Sequence, residues 1–260
     1  MHRFSDHDES LDNAGENDLP RIAQEMLHIN ADDRLLNLST GWGTLELYLG
    51  SQFPLFITTV SPSQEQAQHA YDLMERAGIS ERVQIETCDF RDLPPQEQFT
   101  KLVCLEALDW VGQKNLGDFF QRCADVLVPG GTALIYCTTS PSAFTGSWSQ
   151  YLGETLHYHL YTLTTICPGR DTALFATLND YLDEIHRAGL EVDLIENISL
   201  DASMTYARWF ENWDQARHII HMRYGEDVYR QWELYLAWSS SILLRGGLSK
   251  HSLLLRKPIR

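Results

Sequence analysis

The sequence predicts an α/β fold built on a mostly parallel sheet. Three observations lead there. Short apolar runs alternate with amphipathic stretches along most of the chain, a glycine-containing turn follows the first run, and the runs are nearly unbroken in apolar residues, as strands covered on both faces are. From Leu19, the residues Ile22, Ala23, Met26 and Ile29 recur at helical spacing, with Pro20 tolerated in a first turn. Arg34–Leu38 reads as the first strand, Ser39-Thr40-Gly41-Trp42-Gly43 as the turn, and Thr44–Leu49 as the helix after it. Leu55–Val60 is a second strand, and Ser63 caps a helix that runs to Ala77 and ends at Gly78. Val83–Cys88 and Lys101–Leu105 are the next strands. Thr132–Thr138 is the fifth, after the turn Pro129-Gly130-Gly131, with an amphipathic helix at Leu116–Leu127 before it. Beyond an aromatic stretch, Thr172–Ala188 is helical, Leu190–Ile198 is a strand, and Ser203–Tyr224 and Glu226–Leu244 are helices. Ser252–Arg256 makes a seventh strand in a tail, from Gly246, expected to have solvated edges.

Charge narrows the partners. The 260 residues carry 20 Lys and Arg against 36 Asp and Glu, a formal charge of −16, which argues against nucleic acid or an anionic membrane. No apolar run reaches the roughly 18 residues of a spanning helix, and no secretory signal is visible, so a cytoplasmic chain is expected. The five cysteines form no C-x-x-C pair and read as reduced thiols. His157 with His159, and His218 with His221, lack further ligands at metal-site spacing, so no metal is expected. No G-x-S-x-G elbow occurs. Residues 1–18 are polar and acidic and are expected to be disordered. Residues 19–260 then form a single domain, with 139–171 and 203–245 as covers on the substrate side. The first of these covers, around Ser140–Arg170, is too aromatic for a flexible linker.

The chemistry starts at the glycine turn. Gly41 and Gly43 allow close backbone approach, and the helix that follows presents unpaired N–H groups, the arrangement with which α/β sheets receive nucleotide-like ligands. Alone, G-W-G is equally a tight strand-to-helix turn. The ordered set LLNLSTGWGTLELYL, ITTVSPSQEQAQHA, CDFRDL, FTKLVCLEALDWVG and LVPGGTALIY goes further. From about Leu19 to the C-terminus the chain resembles the S-adenosylmethionine-dependent methyltransferases of the cyclopropane fatty acid synthase and coclaurine N-methyltransferase group.

That resemblance implies a Rossmann-like class I methyltransferase fold, with S-adenosyl-L-methionine as cofactor. It implies that Gly41, Trp42 and Gly43, with Asn37 and Ser39 before them, hold the amino acid end of the cofactor. Ser61 and Gln66 would face the ribose, Asp89 and Phe90 the adenine, and Glu106 and Ala107 the sulfonium. Trp209 and Tyr235 match substrate-facing positions, and Phe144, Trp148 and Tyr151 lie in the aromatic cover. Departures from the pattern are specific. The usual L-D-I-G-C-G-W-G is here Leu36-Asn37-Leu38-Ser39-Thr40-Gly41-Trp42-Gly43, which removes a carboxylate at Asn37 and places a Cβ, with strain at positive φ, at Ser39. The usual E-M-F-E-H is Glu106-Ala107-Leu108-Asp109-Trp110, which removes a histidine. Positions matching the bicarbonate ligands of the cyclopropane synthases are Asp109, Tyr136 and Ala202, a set that argues against cyclopropanation. Asp109, Trp110 and Glu106 are the candidate catalytic residues. The expected activity is methyl transfer to a small amine or hydroxyl compound, in secondary metabolism. A methyltransferase fold that instead cyclises, isomerises or rearranges its substrate, and a non-catalytic partner subunit, stay open, as does a homodimer.

Overall fold

The computed structural model describes residues 2–6, 8–93, 99–141, 148–168 and 176–259. Strands β1 (Arg34–Asn37), β2 (Phe56–Val60), β3 (Val83–Glu86), β4 (Phe99–Cys104), β5 (Leu127–Thr139), β6 (Glu191–Asn197) and β7 (Ser249–Arg256) form one sheet in the order β3-β2-β1-β4-β5-β7-β6. The first five strands pair in parallel, and β7 runs antiparallel between β5 and β6. The strand order reverses between β1 and β4, and at such a switch point the loops leaving the carboxyl ends diverge and open a crevice. This is the seven-stranded, mostly parallel sheet of the class I methyltransferases.

The helices are α1 (Leu11–Pro20), α2 (Thr44–Gln52), α3 (Gln64–Ala77), α4 (Leu116–Val126), α5 (Trp148–Tyr161), α6 (Leu178–Arg187), α7 (Ser199–Gln215), α8 (Arg217–Tyr224) and α9 (Glu226–Leu244). One core joins a sheet face to α4 and α6 through Phe119, Phe120, Cys123, Tyr181 and Ile185. A second joins the other face to the N-terminal helix, meaning α1 with its continuation Arg21–Met26, and to α2 and α3 through Ile22, Ala23, Leu45, Leu49 and Met74. A third, smaller cluster of Tyr158, Tyr235, Leu236, Leu243 and Leu248 packs α5, α7 and α9 together above the sheet. Among the described residues no helix is long and apolar enough to cross a membrane.

Three expectations need correction. Residues 2–6 and 8–18 are not disordered: Ser10 caps α1 by accepting from Asn13 N, and Ala14 is fully buried. Arg3 pairs with Glu196 at 3.0 Å and Asp201 at 3.4 Å, which ties the polar segment to β6 and α7. Its acidic composition gave no sign of those distant partners. The helix expected from Ser203 to Tyr224 begins at Ser199 and breaks at Ala216. The C-terminal strand is not solvated. It lies inside the sheet, and Lys250 and Ser252 are buried.

If α1 packs as described, Ala14→Asp buries an unpaired carboxylate and costs about 2–4 kcal/mol, read as a lower urea midpoint. An unchanged midpoint would show that the N-terminal segment does not dock.

Candidate active site

Each strand of the β3-β2-β1-β4 half ends in one motif segment, so neighbouring strands bring sequence-distant motifs into one row. The chain leaving each strand is stitched to its neighbour by backbone hydrogen bonds: Leu38 N to Val103 O (2.8 Å), Thr40 N to Val60 O (3.1 Å) and Ser61 N to Glu86 O (3.0 Å). Gly41 (φ 54°) and Gly43 (φ 86°) take the left-handed conformation that a tight turn requires. A Cβ on Gly43 would stand 3.0 Å from the Ala70 Cβ, whereas one on Gly41 would meet nothing within 4 Å. The turn is therefore open at Gly41 and closed against α3 at Gly43, which fits a cradle for the amino acid end of S-adenosylmethionine. Trp42 is exposed and stands edge-on to His69 of α3 (5.3 Å).

Beneath the turn lies a buried polar network. Asn37 Nδ2 donates to Glu46 Oε1 (2.6 Å) and to Ser39 O (3.2 Å), while its Oδ1 accepts from Ser39 N (3.0 Å). Thr59 Oγ1 donates to the same Glu46 oxygen (2.6 Å). The Asn37 amide is thereby spent on holding the turn from inside. Glu46 on α2 brings a buried carboxyl to the Asn37 amide from below, and burial raises its pKa. The strain expected at Ser39 is not realised, because its φ is not positive and its Oγ donates to Leu105 O (2.7 Å), bracing the turn against the loop after β4.

On the ribose and adenine side, Ser61 is buried at the end of β2 and shares hydrogen bonds with Ser63, the residue that caps α3 at Gln66 N. Asp89 accepts two side-chain hydrogen bonds from Arg91 (2.7 and 2.8 Å), and these hold its carboxyl below the usual range. Phe90 packs edge-on against Phe119 (5.3 Å), with Arg91 over its ring.

Beyond the sulfonium segment a cavity opens, lined by Glu106, Asp109, Trp110, Thr138, Tyr158, Thr162, Tyr206, Tyr235, Leu243, Leu248 and Lys250. The structure thus brings the three catalytic candidates to one wall, with Ala107 between them in the chain. Glu106 sits at φ 73°, a costly conformation for a non-glycine residue of the kind that clusters at active sites. Asp109 is pinned: Oδ1 accepts from Thr138 N (2.7 Å), and Oδ2 accepts from Thr138 Oγ1 (2.7 Å) and Lys250 Nζ (2.8 Å). Lys250 Nζ also donates to Glu106 Oε2 (3.1 Å). Burial pushes the Glu106 carboxyl up, but the positive charge around it, that of Lys250 foremost, together outweighs burial and holds the group at about 2. Burial opposes the Lys250 charge in turn, and the two carboxylates overcome it and raise its pKa.

Of the substrate candidates, Tyr235 lines the cavity, stacked with Tyr158 (6.2 Å) and edge-on to Tyr206 (6.1 Å). Trp209 packs against Tyr206 (5.3 Å) without lining it. Phe144 lies outside the described residues, and Trp148 and Tyr151 are described only as backbone of α5. Of the three bicarbonate-matching positions, Asp109 lines the cavity. Tyr136 is buried in the core shared with the N-terminal helix, and Ala202 packs in the helical cluster above the sheet. Sequence reasoning missed Lys250, Thr138, Tyr158 and Tyr206. The one available signal for Lys250 was a lysine beside the apolar run Leu253–Leu255, in a strand taken as solvated.

The fold and the row of motifs define a class I, S-adenosylmethionine-type methyltransferase chain. Residues 2–251 match the family described as mycolic acid cyclopropane synthetase, and the chain belongs to that family. It is 30% identical over 253 residues to sphingolipid C9-methyltransferase 1 of Gibberella zeae, covering 97% of this chain and 47% of that protein. To a probable fatty acid methyltransferase of Pseudomonas putida it is 25% identical, covering 98% and 62%. The chain spans about half the length of the sphingolipid methyltransferases it matches. Among solved structures, the cyclopropane synthase MmaA2 from Mycobacterium tuberculosis superposes with a TM-score of 0.87 at 18% identity, covering 98% of this chain and 88% of that one.

Two outcomes test this geometry. Gly43→Val should abolish the heat of binding seen by calorimetry with S-adenosylmethionine or its demethylated product, because the new side chain runs into Ala70. Glu46→Gln tests the network by pH. A carboxyl with a raised folded pKa contributes stability below its unfolded pKa and loses it as pH rises toward the folded value. Wild type should therefore lose stability relative to the Gln variant as pH rises from the ordinary carboxylate range upward, read as the difference between their urea midpoints.

Proposed function

We propose that this chain is an S-adenosylmethionine-dependent methyltransferase that adds a carbon unit to a carbon–carbon double bond in an uncharged lipid chain. The observation that carries this reading is the cavity wall, where Trp110, Tyr158, Tyr206 and Tyr235 surround two carboxylates. When bound, S-adenosylmethionine supplies a methyl group carried on a cationic sulfur. Gly41 and Gly43 would hold its amino acid end, and Asp89 and Phe90 its adenine. Adding methyl to an alkene leaves one substrate carbon electron-deficient and obliges a neighbouring C–H to release its proton. Aromatic faces stabilise such a cation by about 0.5–2 kcal/mol each. Glu106 is the group suited to take the proton: it is only half-buried and stays ionised. Its low basicity is no handicap, since a C–H beside a cationic carbon is strongly acidic.

The relatives named for sphingolipid and fatty acid methylation support a lipid acceptor over the small amine or hydroxyl compound expected from sequence. The net charge of −16 favours a lipid with a neutral head.

Incubation with cofactor and a neutral unsaturated sphingolipid or fatty acid ester should yield a lipid heavier by one methyl-derived carbon, read by mass spectrometry. Glu106→Gln should lower turnover about 10²- to 10⁴-fold. Cofactor binding without any lipid product would refute this reading and favour a fold that no longer methylates.

A further inference from the structure

Helix α8 presents apolar residues outward. Ile220 is its buried residue, while Ile219 and Met222, one turn apart on the outward face, are 65% and 75% exposed. Tyr224, at its end, is 56% exposed. His218 and Arg223 flank the apolar pair at helical spacing. The helix also carries Arg217 and His221 and has no acidic residue, on a chain with a formal charge of −16. Elsewhere Arg3, Arg21, Arg187 and Arg256 are paired with carboxylates, whereas the exposed Arg217 and Arg223 make no ion pair with any described residue. They lie over tyrosine rings instead, Arg217 at 5.0 Å from Tyr229 and Arg223 at 5.5 Å from Tyr224. An aromatic band runs inward from this helix. His221 stands edge-on to Tyr229 (4.6 Å), Tyr229 is stacked with Trp213 (6.2 Å), and Trp213 meets Trp232 (6.0 Å). Trp232 in turn stands edge-on to Tyr235 (5.6 Å), which lines the cavity.

We propose that α8 is the element by which this chain rests on a lipid bilayer of zwitterionic headgroups. Ile219, Met222 and Tyr224 enter the boundary between headgroups and acyl chains, and Arg217 and Arg223 hold lipid phosphates. Interfacial helices combine these parts: apolar side chains outward, an aromatic ring at headgroup level, and arginines whose stems follow the apolar surface. An unpaired guanidinium complements phosphate oxygens and can bind two of them at once. The charge of −16 repels a surface of net negative lipids, so a headgroup that pairs its phosphate with a cation suits both the arginines and the rest of the chain. Other occupants fit less well. An acidic protein would meet the exposed Glu226 and Asp227, which follow α8 directly. A second copy docked through α8 would set arginines against arginines. It would also bury too few side chains to reach the roughly 800 Å² per partner of a standard interface. The aromatic band then offers a lipid leaving the bilayer apolar surface all the way to Tyr235. That use of the contact rests on the lipid-methylation reading, and the contact itself does not.

Cosedimentation of the full chain with phosphatidylcholine vesicles tests this. Wild type should pellet with them. Ile219→Ser/Met222→Ser should raise the lipid concentration for half-binding about tenfold or more, and Arg217→Gln/Arg223→Gln about threefold or more. Phe56→Ser, which removes a side chain 61% exposed at the start of β2, should leave it within about twofold. Turnover on an unsaturated lipid held in the vesicles should fall with binding in both α8 variants. Turnover on a short-chain unsaturated ester dissolved as monomers should stay within about twofold of wild type. No binding of wild type to phosphatidylcholine, or equal binding by wild type and Ile219→Ser/Met222→Ser, overturns the proposal. Binding that appears only when phosphatidylglycerol is added also overturns it, as does a wild-type dimer in light scattering that the Ile219→Ser/Met222→Ser change dissolves while vesicle binding stays unchanged. If vesicle binding behaves as stated and no lipid is methylated, the functional reading fails and the docking surface stands. Methylation of the dissolved ester without vesicle binding has the reverse meaning.

Discussion

An ammonium withdrawn from water costs several kcal/mol, and Lys250 repays that only where two carboxylates and a hydroxyl converge. Much of the architecture around the cavity follows from this requirement. The β5–β7 register places Lys250 opposite Thr138, and Thr138 in turn bonds Asp109 through both its N–H and its hydroxyl. A slip of one residue would turn Lys250 to the other sheet face, leaving an ammonium and two carboxylates unpaired. The Lys250 backbone also holds the cover: its N–H donates to Ser199 Oγ and its carbonyl accepts from Ile198 N, at the start of α7. One residue thus joins the sheet, the loop after β4 and the helix that carries Tyr206.

The two halves of the site use different polar devices. Under the glycine turn, Asn37, Glu46 and Thr59 form a hydrogen-bonded network with no ion pair, and it shapes a backbone cradle. At the cavity, full charges are paired, Lys250 with Asp109 and with Glu106. The Glu46 carboxyl under the turn has a raised pKa, and the Glu106 carboxyl at the cavity a lowered one. Their opposite shifts have a single cause. Glu46 has only neutral partners to offset burial, and Glu106 has a cation.

Departures from the family pattern look different once they are seen in space. Asn37 removes a charge from β1, and its amide instead holds the buried Glu46 carboxyl from α2. Ser39 adds a Cβ, and its hydroxyl turns that into a brace to Leu105. Trp110 removes a histidine and adds one more aromatic face to a wall already made of tyrosines. Taken together, these changes leave the left-handed glycines of the turn in place and alter the lining of the cavity.

The sequence by itself determined the sheet, the glycine turn and the row of motif segments, because local patterning and strand order dictate them. Apolar runs at βαβ spacing leave few topologies open, and the topology alone brings Gly41, Ser61, Asp89 and Glu106 to neighbouring strand ends. It also put Asp109, Trp110 and Tyr235 forward. What it could not show was the pairing of residues far apart in the chain. Lys250 lies 141 positions from Asp109, Glu46 closes on Asn37 from another element, and Arg3 finds Asp201 across the domain. A charged residue reads as solvated until a partner is seen, and burial of a charge is set by that partner. Only tertiary structure decides which charges meet, and so only it could turn a tail taken for a solvated strand into the wall of the site.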